Sequence, residues 1–389
     1  MTREQCYFLS IIKEYVCGLK TELDSTVDWL KIFDYAQSHQ LTAIIYHQCK
    51  GFIPAEVNDR FKSASLSTIY SNTNRRKMTD GLLNVLKESG ISCFLIKGFD
   101  IADFYPNWQY RTMGDTDIVV DDLEKAHGIL IDGGFENLSK IKDREYQYSK
   151  KNMEFEVHDR LVYDEAINLD STTGFLNNYK NYVVNGKLDD SFHFIFVLNH
   201  LRKHFMNSGV GFRQFVDIAV LIKNDGKVDW VWTKEQLENI GLLSFAKTVF
   251  YYIEQWFGVK APIEVEHVAE DVFEESTSFV FDNGVFGFDN EANRDFLTSN
   301  AVRKAKNLKF AMLKSAVQKA FPSYKSMTAS ESYSFLRGRP ILLPVAWVYR
   351  LVRGVSKKGF SEGKKQISES FVSTEYIAKR EEMFNKWRL

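Results

Sequence analysis

The sequence Phe94-Leu-Ile-Lys97-Gly98, followed by Tyr110-Arg111-Thr-Met-Gly114-Asp115-Thr-Asp117-Ile-Val-Val120, decides the fold. It predicts an apolar strand, a glycine turn with a short helix, and a second strand that opens with two carboxylates. Side chains alternate along a strand, so Asp115 and Asp117 are expected on one face. Adjacent carboxylates repel each other unless a cation lies between them. Replacing one of them, as in Asp117→Asn, is therefore expected to leave the metal-free protein almost equally stable.

A third acidic side chain comes from a later strand. Lys150-Lys151-Asn152 predicts a hairpin turn into Met153–Asp159, where alternation puts Glu154, Glu156 and His158 on one face. A carboxylate beside the Asp pair would complete a site for two Mg²⁺ ions, because Mg²⁺ prefers oxygen ligands. The predicted metal ligands and catalytic residues are Asp115, Asp117 and Glu156. The alternative is a solvated turn before a strand, where Asp is also common.

Basic residues and a glycine near the carboxylates predict an anion site. Gly98 allows a backbone to approach phosphate closely, and the helix that follows offers free N–H groups at its start. Lys97 and Arg111 flank this turn, and Arg111 comes just ahead of the Asp pair. Arg213 either reaches a phosphate or pairs with Asp217, which lies four residues further along the same predicted helix.

Histidines near these segments have more than one reading. His200 and His204 are four residues apart and share a helix face, but the stretch His-Leu-Arg-Lys-His lacks the Glu of a zinc-protease helix. We expect this polar face to turn toward the site, with His200 contacting either the nucleotide or only neighbouring residues. His158 is expected to orient Glu156, to move a proton, or to make a structural hydrogen bond.

In order and spacing these motifs resemble the nucleotidyltransferases of the DNA polymerase β-like superfamily. More narrowly, they are similar to the group called uncharacterised bacterial nucleotidyltransferases. The similar segments are Lys97-Gly98, Tyr105-Pro106, Arg111, Gly114-Asp115-x-Asp117, Glu156-x-His158, Asn199–His204, Gly211–Ala219 and the N-terminal Ala36–Leu41. The resemblance covers roughly residues 30 to 290, and the Asp-x-Asp block is its most specific part.

The resemblance implies a Mg²⁺-dependent enzyme that moves a nucleoside monophosphate, AMP from ATP, to an unknown acceptor and releases pyrophosphate. It implies two Mg²⁺ ions, with Asp115 and Asp117 binding both and Glu156 binding the catalytic one. The superfamily usually has Gly-Ser after the first strand, whereas here Gly98 is followed by Phe99. Lys97 or Arg111 is therefore expected to replace the serine contact, and Lys97, the Gly98 backbone and Arg111 to neutralise the triphosphate.

The alternatives depend on the basic end of the chain. Residues 301–389 hold 19 Lys or Arg against 6 Asp or Glu, while the whole chain has a net charge of −1. One alternative is a non-catalytic module of the same fold that binds through these basic C-terminal helices. Another is an RNA-modifying enzyme whose basic end holds the polynucleotide. The charges are spread among apolar residues, which favours helices packed against the acidic stretch Glu264–Glu275 over a nucleic-acid arm.

Composition places the chain among ordinary globular proteins, with 44% hydrophobic and 26% charged residues. We expect no signal peptide and no membrane span, because no uncharged apolar run approaches about 18 residues. The four cysteines lack metal-ligand spacing and are expected to be free thiols in a reducing cytoplasm. Nothing in the sequence sets the oligomeric state.

The order of elements predicts an α+β protein. A small mixed-sheet nucleotidyltransferase core over 89–163 is expected between an N-terminal helical region, 1–88, and a C-terminal helical region, 164–389. In the core, the predicted strands are 92–97, 116–120, 145–149 and 153–158, with a shorter one near Phe135, and the predicted helices are 99–105 and 123–132. Beyond the core, the clearest predicted helices are Ser191–His204 and Arg213–Lys223, and further helices are predicted over 233–257, over 263–275 and after residue 300.

Overall fold

The structure is a computed structural model with two compact units. The first is Met1–Gly287 with Lys386–Leu389, and the second is Phe288–Asn385. The described residues are 1–22, 24–141, 145–163, 170–207, 209–223, 227–285, 321, 323–328, 331–349 and 381–389. All of the predicted site residues lie in the first unit.

Four helices form the N-terminal part of the first unit. They are α1 (Arg3–Cys17), α2 (Trp29–Ser38), α3 (Thr42–Cys49) and α4 (Ala55–Glu88). Helix α1 begins at a capping box, in which Thr2 and Gln5 each accept a hydrogen bond from the other's backbone N–H. Helix α4 follows Pro54 and ends at Glu88, with Ser89 as its C-cap. Its length carries it past the N-terminal helices to the sheet.

The sheet has five strands in the order β1-β2-β5-β4-β3. The strands are β1 (Cys93–Leu95), β2 (Asp115–Val120), β3 (Glu136–Ile141), β4 (Glu145–Lys150) and β5 (Met153–His158). The pair β2–β5 is parallel and the other pairs are antiparallel, so the sheet is mixed. The predicted α+β class with a small mixed sheet is confirmed.

A tight hairpin joins β4 to β5. Lys151 and Asn152 have φ values of +50° and +60°. Two successive residues with positive φ form the turn whose twist matches that of paired strands. The hairpin predicted at this position is confirmed, and it brings β5 back along β4 in register, Lys150 facing Met153.

One face of the sheet is buried against α4 and against the helix that follows β2. Helices α5 (Phe99–Ala102) and α6 (Leu123–Asp132) follow β1 and β2. Ile118 and Val157 from adjacent strands belong to a core that includes Leu86 of α4 and Leu130 of α6. Because this face is apolar, the alternate side chains of β2 and β5 are on the other face, where the carboxylates lie.

Helices return after the sheet. They are α7 (Asp170–Asn177), α8 (Asp190–Asn207), α9 (Phe212–Lys223), α10 (Trp230–Asn239), α11 (Leu243–Phe257) and α12 (Glu270–Asn283), and a short hairpin of β6 (Val183–Val184) and β7 (Lys187–Leu188) lies between α7 and α8. No helix in the described ranges has both the length and the apolar character that crossing a bilayer requires.

Two of the predicted C-terminal helices differ from those observed. The single helix predicted over 233–257 is divided between α10 and α11, because Gly241 has a φ of +75° that a helix does not accommodate. The helix predicted over 263–275 begins only at Glu270, after Ala269 in an extended conformation. The residues before Ala269 alternate apolar and charged side chains, so they lack a continuous apolar stripe.

The last residues of the first unit return from the basic end of the chain. Trp387 is fully buried, with its ring stacked on Tyr252 at 4.3 Å between centroids. Lys386 Nζ lies 2.5 Å from Glu275 Oε2, and the Arg388 guanidinium lies 4.0 Å from Glu266. At these residues the basic end therefore meets the acidic stretch, as expected.

The second unit is described only in part. Tyr324–Thr328 is helical, and a small core joins Met327, Leu336 and Ala346. Most of the helices expected after residue 300 fall outside the described residues.

Candidate active site

The carboxylates come together because β2 and β5 are parallel neighbours. Their register pairs Asp115 with Glu154, Asp117 with Glu156, and Val119 with His158. Directly paired residues point to the same side of a sheet, and so do residues two apart on one strand. Asp115, Asp117 and Glu156 therefore lie on one face, with His158 next along β5.

Asp117 is the most deeply buried of these groups, at 2% exposure. Its Oδ1 lies 2.6 Å from Lys97 Nζ and 3.3 Å from His158 Nε2. Burial alone would raise the pKa of Asp117, but the Lys97 ammonium and His158 hold it below the ordinary value. The sequence-based assumption that the carboxylates have no counter-charge without a metal is therefore wrong. Asp117→Asn should destabilise the metal-free protein, because it leaves the Lys97 ammonium with less compensation.

Glu156 is in a different electrostatic position. Burial raises the pKa of Glu156 to about 7, and the charges of Asp117 and Asp115 add to the rise. Its Oε1 accepts a hydrogen bond of 3.0 Å from the Gln147 side chain, and its Oε2 lies 3.7 Å from His158 Nε2. The Asp117 charge likewise raises the pKa of Asp115. Two of the three carboxylates thus bind protons more readily than an isolated acid.

The arrangement fits a divalent cation. One ligand atom each from Asp117, Glu156 and His158 lies within 4.8 Å of the other two. Asp117 Oδ1, Glu156 Oε2 and His158 Nε2 are mutually close, with 3.3 Å from His158 to Asp117 and 3.7 Å from His158 to Glu156. Carboxylate oxygens with an imidazole nitrogen suit Mg²⁺ or Mn²⁺. The three-residue cluster contains His158 where the sequence predicted Asp115, and Asp115 stands beside Asp117 on the same face.

The turn after β1 brings Lys97 to this cluster. Gly98 has φ +63° and ψ −110°, a conformation that needs glycine. Helix α5 has four residues and is shorter than the predicted 99–105. Tyr105 lies beyond its end and donates a hydrogen bond of 2.6 Å to Asp217 Oδ1. The turn therefore places the Lys97 ammonium beside Asp117. The chain after α5 instead contributes Tyr105 to a second network of hydrogen bonds and ion pairs, which is centred on Asp217.

Arg111 belongs to that second network. Its Nε and Nη2 donate to the two oxygens of Asp217 at 2.7 and 3.0 Å, and its Nη1 donates to the Gly98 carbonyl at 3.2 Å. A fork-to-fork pair of this kind is among the strong charge-assisted hydrogen bonds. Arg111 is buried, and this geometry makes it a support for the Gly98 turn and does not favour the phosphate role that the sequence suggested.

Arg213 shares Asp217 but is less fully engaged. Its Nη1 lies 3.4 Å from Asp217 Oδ2, as the four-residue spacing allows. Its Nε is buried and donates no hydrogen bond to the described residues. The positive charge of Arg213 acts on Asp115. Arg213 therefore differs from Arg111: its Nε takes no part in the ion pair with Asp217.

Sequence comparison agrees with this geometry. The profile of a family described as uncharacterised nucleotidyltransferase matches residues 25–258, which include the sheet, the carboxylates and Arg213. The chain belongs to this family. It is therefore a transferase of phosphorus-containing groups. No curated protein and no solved structure matches the chain significantly.

Two histidines of this nucleotidyltransferase form a pair on α8. His200 Nε2 and His204 Nε2 are 2.9 Å apart. Burial lowers the pKa of both rings, to about 3 for His204, and nearby cations including Lys97 and Arg213 lower it further. Both rings are therefore neutral at physiological pH. The polar face of α8 that the sequence predicted thus lies close to the charges of Lys97 and Arg213.

Two residues of the nucleotidyltransferase core that the sequence analysis missed lie on α4. The Asn72 amide donates to the Gln109 and Arg111 carbonyls at 2.8 Å each. Arg75 Nη1 donates to the Glu154 carbonyl at 3.0 Å. Both are buried polar residues in the stripe of α4 that otherwise faces the core. The available signal was their spacing, since Asn72, Arg75 and Thr79 recur at helical intervals in line with the apolar Leu82 and Leu86.

Proposed function

We propose that this protein is a Mg²⁺-dependent nucleotidyltransferase that moves AMP from ATP to an acceptor and releases pyrophosphate. One observation carries the proposal: a buried cluster of Asp117, Glu156 and His158 with its ligand atoms within 4.8 Å of one another, bordered by the cations Lys97 and Arg213. Anionic metal ligands next to fixed cations are what a metal-bound triphosphate needs. A site for a neutral substrate would not need anionic metal ligands and fixed cations together.

Each residue has a proposed role. Asp115, Asp117 and Glu156 would hold the Mg²⁺, which supplies charge neutralisation at the phosphates when bound. Lys97 and Arg213 bind phosphate oxygens, and the Gly98 turn brings the backbone close to them. Glu156 also accepts the proton of the acceptor hydroxyl.

The supports of these residues also have roles. Arg111 fixes the Gly98 turn through its bond to the Gly98 carbonyl. The neutral pair of His200 and His204 borders the nucleotide without adding charge. His158 holds its ring against Asp117 and Glu156 and is proposed as a further ligand of the cation.

The experiment is a transfer assay with each α-labelled NTP in turn. Wild-type protein, Mg²⁺ and candidate acceptors, including the protein itself, are incubated and assayed for pyrophosphate and labelled product. ATP is expected to give product, EDTA to abolish it, and Asp117→Asn to abolish it. Glu154→Gln is the matched control, because Glu154 lies on the neighbouring strand β5 and on the same face of the sheet as Asp117 but outside the cluster. Circular dichroism establishes that each variant is folded.

The non-catalytic alternative makes the opposite prediction. A binding module would release no pyrophosphate with any NTP, and Asp117→Asn would change nothing in the assay. The three-residue cluster favours the enzyme, since two carboxylates and an imidazole within reach of one point are a ligand set for a divalent cation. The four cysteines are free thiols, and we keep a reducing cytoplasm as the proposed compartment.

A further inference from the structure

Lys97 occupies the position next to Asp117 that a metal ion needs. Its ammonium lies 2.6 Å from Asp117 Oδ1, and its side chain is 18% exposed. The same oxygen faces His158 Nε2 at 3.3 Å, so it belongs to the inner edge of the cluster. Asp115 and Glu156 also act electrostatically on this ammonium. Without a metal, Lys97 thus pairs with Asp117 and also acts as a counter-charge to Asp115 and Glu156.

A divalent ion and this ammonium compete for one oxygen. A metal bound to Asp117 Oδ1 would lie within a few ångströms of Lys97 Nζ, and like charges at that separation repel strongly in a partly buried site. Lysine has a flexible four-carbon chain with three rotatable donors, so the ammonium can leave without unfolding the turn. A triphosphate entering the same pocket offers oxygens to receive it.

We propose that Lys97 is a built-in counter-ion that yields Asp117 to the divalent cation only when a triphosphate is present to receive the ammonium. Bare metal then binds weakly, nucleotide without metal also binds weakly, and the two bind together with positive cooperativity. The inference rests on the proposed function for the identity of the nucleotide. Its first part, the competition between Lys97 and the metal, stands on the geometry alone.

The test measures Mn²⁺ binding in the absence of nucleotide, by isothermal titration calorimetry of the full chain. Lys97→Met keeps the length of the side chain and removes its charge, so we expect tighter Mn²⁺ binding than in the wild type. Coupling between two sites is typically about 5- to 150-fold, and the increase should lie in that range. Binding of Mn²⁺ with a non-hydrolysable ATP analogue should instead weaken.

Two variants serve as controls. Lys97→Arg keeps a cation beside Asp117 and should bind bare Mn²⁺ no more tightly than the wild type. Lys187→Met removes another lysine that lies near an aspartate, with Nζ 3.5 Å from Asp100 Oδ1 but outside the cluster, and it should leave Mn²⁺ affinity unchanged. An affinity for bare Mn²⁺ that is the same in Lys97→Met and the wild type overturns the proposal.

A second measurement covers a variant that folds poorly. If Lys97→Met melts at a lower temperature without metal, saturating Mn²⁺ should raise its melting temperature by more than it raises that of the wild type. A smaller or equal rise overturns the proposal. The proposed function fails separately: tighter Mn²⁺ binding in Lys97→Met, with no transfer by the wild type, keeps the counter-ion and removes the transferase. Conversely, transfer by the wild type together with unchanged Mn²⁺ affinity in Lys97→Met supports the transferase and overturns the counter-ion.

Discussion

Asp217→Asn should be among the most destabilising single substitutions in the first unit. Asp217 is buried and accepts hydrogen bonds from Tyr105 and, through both oxygens, from Arg111, with Arg213 close by. Asparagine keeps one acceptor oxygen but removes the charge, which leaves two buried guanidinium groups without compensation. Breaking a buried pair from one side costs about 3–5 kcal/mol. At about 2–4 °C per kcal/mol for domains of this order of size, the melting temperature should fall by roughly 6–20 °C.

Urea unfolding followed by far-UV circular dichroism measures the effect as a change in the free energy of unfolding. Asp103→Asn is the matched control, because Asp103 pairs with Arg76 in a half-exposed ion pair and should cost less than about 1 kcal/mol. The double variant Asp217→Asn/Arg111→Met should lose less than the two single losses added together, since it removes one of the stranded charges. An Asp217→Asn protein within about 1 kcal/mol of the wild type would refute the network as we describe it.

Three further variants test other parts of the first unit. Because the folded-state pKa of Glu156 is raised from 4.5 to about 7, its carboxyl destabilises the metal-free fold by up to about 3 kcal/mol as pH rises through that window. The melting temperature of Glu156→Gln in EDTA should therefore gain on the wild type between pH 4.5 and 8, and a constant difference would contradict this. Arg75→Met should cost about 2 kcal/mol in urea unfolding, because it strands the Glu154 carbonyl, against less than about 1 kcal/mol for Arg76→Met on the same helix. Trp387→Ala should cost about 3–5 kcal/mol by the same measurement, whereas exposed Arg388→Ala should stay within about 0.5 kcal/mol.

Elements with a strong local pattern were predictable from the sequence. The strands predicted at 116–120 and 153–158 are observed at Asp115–Val120 and Met153–His158. Met153–His158 alternates apolar and polar side chains after a clear turn, and Asp115–Val120 ends in the apolar, β-branched run Ile118–Val120. Alternation also indicated correctly that Asp115 and Asp117 share a face. It says which side a residue faces but not which strand lies beside it, so the parallel pairing of Asp117 with Glu156 required the fold.

Contacts between distant parts of the chain were not predictable. Arg111 and Asp217 are 106 positions apart, and nothing local distinguishes an arginine that binds phosphate from one held in a buried pair. The position of the Lys97 ammonium depends on the pairing of β1 with β2 and on the backbone of Gly98. Arg75 lies in a long helix whose pattern indicates only that one side is buried. The predicted site therefore differs from the observed one mainly in which charged groups pair, because tertiary packing determines those pairs.

The order in which the chain is synthesised determines when the contacts of Trp387 can form. Phe205, Tyr252 and Trp256 contact the Trp387 ring and are all made before the segment Phe288–Asn385. At about 5–20 residues per second, a ribosome needs roughly 5–20 s to make that segment. During this interval Phe205, Tyr252 and Trp256 lack the ring that they contact in the finished protein. Apolar surface that is exposed for a time in this way is what makes incompletely folded chains prone to aggregation and dependent on chaperones.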